Sequence, residues 1–168
     1  MAEIFTLDAI ALQRLLDENA ILNLIARFDD AVILRDFDEF RSVWTDNAVW
    51  DIGDPLPLHA EGVDAIVDAV RKRLDAVTFF FRATWRAVIT INGDQASSRA
   101  ATIENGRLRD GKMYDNLGVY RDKLERQNKQ WKFVARRYDY IWIDRTSISP
   151  GEVIALSHLL IKSAAQRA

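Results

Sequence analysis

The segment from Arg27 to Trp50 constrains the fold more than any other part of the chain. Upstream of it, Leu12, Leu15 and Leu16, then Ile21, Leu24, Ile25, Phe28 and Val32, recur three and four residues apart. That spacing predicts one long amphipathic helix, or two abutting helices with a break near Asp17. Thr6 is placed to cap its start, with Asp8 in the first turn. The apolar stripe runs into a charged corner, Arg35-Asp36-Phe37-Asp38, after which Phe37, Phe40 and Trp44 repeat the helical spacing on a shorter helix. Ala48 to Ile52 reads as a strand carrying Trp50, and Gly53-Asp54-Pro55 ends it. A helix that turns sharply into a second helix and an aromatic strand must pack on something large.

Downstream, a loop holding Pro55 and Pro57 leads to Gly62 and a second amphipathic helix. Val63, Ile66, Val67, Val70 and Leu74 form its inner stripe, and Asp64, Asp68, Arg71, Lys72 and Arg73 face outward. The period then changes to two. Residues 82–91 and 94–104 flank Asn92-Gly93, a pair suited to a type I′ hairpin turn. Residues 112–124 and 130–143 read as two further long strands joined across Glu125 to Lys129. Such strands twist and curl. Ser149-Pro150-Gly151-Glu152 opens a predicted terminal helix over 150–165, with Val153, Leu156 and Leu160 as a narrow stripe. Helices followed by an antiparallel meander indicate α+β, as one domain over 1–168 with its core at about 10–145.

A chain that is 49% hydrophobic and 29% charged has the composition of a globular protein with a sizeable core. A net charge of -2 offers no field for a phosphate backbone, so nucleic acid is not an expected partner. The absence of cysteine removes disulfides, thiolate nucleophiles and Cys-bound zinc, and two distant histidines leave no metal site in view. No apolar run approaches the roughly 18 residues that span a bilayer, and the acidic start lacks the look of a signal peptide. Cytoplasmic residence without membrane attachment is the expectation.

Four stretches together resemble the SnoaL-like branch of the nuclear transport factor 2-like superfamily. They are Asp17 to Asp51, the helix start Gly62-Val63-Asp64-Ala65-Ile66, the hairpin Ile89-Thr90-Ile91-Asn92-Gly93-Asp94-Gln95-Ala96, and Trp131-Lys132-Phe133 followed by Arg136-Arg137. The resemblance implies a cone of helices packed into a strongly curved antiparallel sheet, related to scytalone dehydratase-like and dehydrochlorinase-like proteins. It also implies chemistry without a cofactor, since members include cofactor-free dehydratases, cyclases and isomerases beside binding modules. Several lyases of this branch pair a helix carboxylate with a strand histidine. Alignment on Arg35-Asp36-Phe37-Asp38 and on Asn92-Gly93-Asp94 puts Ile33 at the carboxylate and Arg82 at the histidine. A guanidinium does not release its proton near neutral pH, so that dyad's proton abstraction is not carried over.

Asp29 lies one helical turn before Ile33 and supplies a displaced carboxylate. Facing Arg82, it either positions a ligand or serves as a base, or else it is a structural ion pair or a solvated carboxylate at the helix rim. Arg82, Thr84 and Arg86 share one strand face, where two guanidiniums could orient an oxyanion or pair with acids such as Glu104. Tyr114 and Tyr120 share a face of the third long strand, with Asn116 and Gly118 between them, and Tyr138 and Tyr140 share a face of the fourth. Their hydroxyls suit donation to a developing enolate, or they serve as core aromatics, as do Trp50, Trp85, Trp131 and Trp142. His59 sits in a loop that could reach a pocket mouth.

The expected site is an apolar cavity with Asp29 as base or orienting acid, Arg82 as oxyanion stabiliser and Tyr114 as hydrogen-bond donor, and with Phe28, Ile33, Trp50, Arg86 and Tyr120 as ligand contacts, no metal and no cofactor. The expected partner is a small molecule, cyclic or aromatic, acted on by a lyase or isomerase. The alternatives are a ligand-binding protein without chemistry, or an accessory subunit similar to the small subunit of ring-hydroxylating dioxygenases. A sheet face left apolar after helix packing leads to the expectation of a homodimer.

Overall fold

One unbroken helix, α1 (Ala2–Leu34), resolves the choice left open by the periodicity, and its start at Ala2 places Thr6 inside the helix rather than at its cap. The computed structural model describes the backbone of residues 2–144 and the side chains from Ala9 onward; the helix expected at 150–165 lies outside the described residues. Ile21, Leu24, Ile25, Phe28 and Val32 are buried, but Leu12, Leu15 and Leu16 are 56%, 63% and 55% exposed. The stripe is therefore used only from its middle on. Asp17 marks the transition, because there the helix is pinned to the sheet by Arg126 (2.5 and 3.0 Å) and by the Trp131 indole N–H (3.2 Å).

The charged corner is a Schellman stop. Arg35 adopts φ +56°, Asp36 N–H returns to the Ala31 carbonyl and Arg35 N–H to that of Val32. The Arg35 guanidinium then donates to the carbonyls of Leu74 and Val77, so the end of α1 is tied to the chain leaving the third helix. Asp36 caps α2 (Phe37–Ser42) by accepting from Glu39 N–H at 3.0 Å. The short helix stops at Ser42, and Trp44 already belongs to β1 (Trp44–Ile52), earlier than its helical spacing predicts. The proline loop holds a strand that the sequence does not announce, β2 (Leu58–Glu61), antiparallel to β1. The predicted inner stripe of α3 (Val63–Asp75) is buried or half-buried along its length.

The remaining strands are β3 (Val77–Thr84), β4 (Val88–Asn92), β5 (Gln95–Leu108), β6 (Met113–Gln127) and β7 (Gln130–Asp144). Their order is β2-β1-β7-β6-β5-β3, with β4 also on β5. Every pairing is antiparallel except β1 with β7, which is parallel. Bulges at Leu117/Gly118 and Lys123/Leu124 bend the long β6–β7 ladder around the helices. The architecture is α+β, helices packed into a curved, mostly antiparallel sheet.

Two turns differ from expectation. The β4–β5 loop is Gly93-Asp94, and only Gly93 has positive φ (+61°), which fits a II′ rather than a I′ turn. The β6–β7 connection is the two-residue turn Asn128-Lys129, both at positive φ (+49° and +66°), so the strands run closer to the tip than predicted. A larger difference is the break at residues 85–87. It resets the inward face, so that Arg82 and Thr84 on β3 point the same way as Ile89 and Ile91 on β4, where an unbroken strand would oppose them. Trp85, at the break, and Trp142 are exposed, whereas Trp50 and Trp131 fill the core.

Candidate active site

Alternation on the long strands sends Glu104 and Gly106 of β5, Tyr114, Asn116, Gly118 and Tyr120 of β6, and Tyr138 and Tyr140 of β7 to the concave face. Register then lines these residues up across strands. Arg82, Glu104 and Asn116 are mutual partners across β3, β5 and β6, and Ser98, Asp122 and Arg136 across β5, β6 and β7.

In the first row, Arg82 Nε lies 2.8 Å from Asp29 Oδ1 on α1, and Nη1 lies 3.5 Å from Glu104 Oε1. The Asp29 contact is an ion pair off hydrogen-bond alignment, so both atoms remain without a hydrogen-bond partner. Asn116 Nδ2 donates to Glu104 Oε2 at 3.1 Å, and the Tyr138 hydroxyl donates to Asn116 Oδ1. In the second row, Ser98 Oγ (2.7 Å) and Arg136 Nε (2.8 Å) donate to a fully buried Asp122. The Arg136 guanidinium lies 4.1 Å over the rings of Phe28, Tyr120 and Phe133. Arg82 stacks on Phe28 and Tyr120 as well, at 4.8 and 5.0 Å. The second row is core architecture, and the first opens onto a cavity.

That cavity, of about 350 Å³, lies between α3, the end of α1 and the sheet. Ile52, Val70, Leu74 and Phe80 supply apolar wall, and all four tyrosines of the chain face it together with Arg82, Glu104 and Asn116. Its size suits a small cyclic molecule. Two glycines make room for the tyrosines. A Cβ on Gly106 would overlap the Tyr114 ring, and one on Gly118 would overlap that of Tyr138.

Burial alone would lower the Arg82 pKa, but the neighbouring Asp29, Tyr120 and Glu104 reverse the effect and raise it, so the group stays a cation. Burial, followed by the nearby Glu104 carboxylate, raises the Tyr114, Tyr138 and Tyr140 hydroxyls, the last to about 12. Burial also raises Tyr120, against the pull of Arg82. These hydroxyls are therefore neutral donors throughout the physiological range. Together the groups offer a fixed carboxylate, several O–H donors and a dry wall.

Of the residues singled out from the sequence, Arg82, Tyr114, Tyr120 and Trp50 line the cavity. Asp29 stands behind Arg82, Phe28 is fully buried in the core, and Ile33 is half-buried off the wall, where its neighbour Val32 stands instead. Arg86 is exposed in the 85–87 break, and Glu104 pairs with Arg82 rather than with it. His59 belongs to β2 and bonds Asp51 at 2.7 Å, which raises its pKa on the outer surface. Glu104, Asn116 and Arg73 join the site without having been chosen for it. From the sequence Glu104 is in view only as a partner for the strand arginines, and Arg73, expected to face outward, instead reaches the cavity wall from the last turn of α3, three residues after the inward Val70.

A comparison with curated proteins found no match. Among solved structures, a protein described as a candidate aromatic ring hydroxylase from Novosphingobium aromaticivorans is 26% identical (TM-score 0.73), over 79% of this chain and 94% of that one. The hexachlorocyclohexane dehydrochlorinase LinA-type3 from Novosphingobium barchaimii is 19% identical (TM-score 0.76), over 86% and 99%. A candidate scytalone dehydratase from Novosphingobium aromaticivorans is 14% identical (TM-score 0.73), over 84% and 95%. The last two likenesses concern the fold. Residues 13–137 match the SnoaL-like domain model, and the chain belongs to the SnoaL-like family.

Proposed function

We propose that the cavity binds a small cyclic or aromatic molecule and that the chain acts on it as a cofactor-independent lyase or isomerase. The observation that carries this reading is Glu104: a carboxylate set in an apolar wall, held at one oxygen by Asn116 and near the other by Arg82, among tyrosine hydroxyls. Glu104 takes a proton from a carbon next to a carbonyl, and the C–H electron pair passes into an enolate whose oxygen accepts from a tyrosine such as Tyr114. A leaving group on the next carbon then departs, or the proton returns to a different carbon. In this scheme Asp29 orients Arg82. The likenesses to a dehydrochlorinase and a candidate dehydratase support the reaction class, and that to a candidate aromatic ring hydroxylase supports a ring-bearing ligand.

A binding protein without chemistry is the second reading, favoured by the fixed partners that already occupy both oxygens of Glu104. Solvent deuterium exchange into 2-tetralone, a fused-ring ketone small enough for the cavity, separates the two. The expected result is exchange well above buffer, falling by about 10² or more in Glu104→Gln. Exchange equal to buffer, with binding retained, leaves the second reading.

Two copies are proposed to pair through the convex face of the sheet. There Ala83, Ile103, Leu117 and Trp142 are consecutive partners across β3, β5, β6 and β7, with exposed Phe81 and Trp85 nearby in the chain.

A further inference from the structure

We infer that the ligand carries a carboxylate, which Arg73 holds at the cavity mouth while the ring points inward. This rests on the cavity being the ligand site and adds the charge and orientation of what enters it.

The two ends of the cavity differ in charge. At the deep end Arg82 is met by two carboxylates, Asp29 and Glu104, so the fixed groups there sum to a net negative charge. An anion pushed to that end would face Glu104 across a poorly solvated space. At the mouth stands Arg73, in the last turn of α3 and on the cavity wall. Its Nη2 donates to the carbonyls of Leu56 (2.9 Å) and Pro57 (3.4 Å), and the Tyr140 hydroxyl is a further neighbour. Those acceptors fix its position but bring no negative charge. Among the described residues no carboxylate lies within 4.0 Å of it. The other cation at the rim, Lys112, is already paired with Asp110 at 2.9 Å.

A pre-positioned guanidinium at the lip of an apolar cavity is a receptor for a planar anion. Charge complementarity then sets the orientation. The acid stays at the mouth, the hydrophobic ring occupies the apolar wall, and a neutral carbonyl or hydroxyl at the far end reaches the tyrosines.

Titration calorimetry near neutral pH with two probes tests this: 2-naphthoate and its neutral near-isostere 2-acetylnaphthalene. The parent protein is expected to bind 2-naphthoate about tenfold more tightly than the ketone. Arg73→Gln should erase that preference by weakening 2-naphthoate alone, Arg73→Lys should keep part of it, and Lys112→Ala should keep it in full. A parent that binds both probes alike, a preference that survives Arg73→Gln, or one lost in Lys112→Ala instead, overturns the inference while leaving the cavity as a ligand site. If the parent binds neither probe, the cavity reading fails and the inference falls with it. Unchanged ketone affinity in Arg73→Gln reports that the variant is folded.

Discussion

The four tyrosines lend themselves to a direct test at the level of single residues. Each has its hydroxyl pKa raised, chiefly by burial, whereas tyrosines in the unfolded chain ionise near the ordinary 10.0. For a group raised in the folded state, the stabilising contribution is complete below the unfolded value and is lost as pH climbs toward the folded one. Absorbance near 295 nm should therefore show almost no tyrosinate in the folded protein at pH 10, and stability to denaturant should decline above that pH. Half-ionised tyrosine at pH 10 in a still-folded sample would contradict the burial seen here. The shared face of these residues is legible in the sequence because a strand alternates strictly. Glu104 was legible as a partner for the strand arginines, but which of Arg82 and Arg86 takes it was not, because that depends on how β3 registers against β5. The irregular residues 85–87, which no Gly or Pro marks, also reset the face on which Arg86 was expected.

Among the elements, helices announce themselves through spacing, and α3 follows its predicted stripe closely. The first three leucines of the α1 stripe mislead, since periodicity states which residues lie on one side of a helix and not how far the surface beneath it extends. β2 was hidden because four residues between Pro57 and Gly62 carry too little pattern to register as a strand. The close fit of β6 on β7 depends on Gly118, whose missing side chain is the space occupied by the Tyr138 ring. Gly118→Ala should displace that ring at a cost of about 1–3 kcal/mol. It should also weaken both naphthalene probes, because Tyr138 lines the cavity. Equilibrium denaturation with parallel titrations checks both effects; a variant as stable as the parent would mean that the ladder yields without strain.

For the whole molecule, the proposed pairing of two copies places a continuous apolar row on the convex face against its symmetry mate. Trp142→Glu combined with Phe81→Asp should shift the mass measured by light scattering from twice the chain mass to that of one chain. A parent that already runs as a single chain would remove the pairing. Among the described residues no helix is long and apolar enough to cross a membrane.

The parallel contact between β1 and β7 has a consequence for biosynthesis. β1 is made early, yet its neighbour toward the sheet centre, beginning at Gln130, is the last of the described strands to leave the ribosome. Until then β1 has only the short β2 beside it, and the aromatic side chains it carries are left without their floor. Nascent chains arrested before that point should bind chaperones and yield to protease, and the step that ends this vulnerability is the slow closing of a long loop.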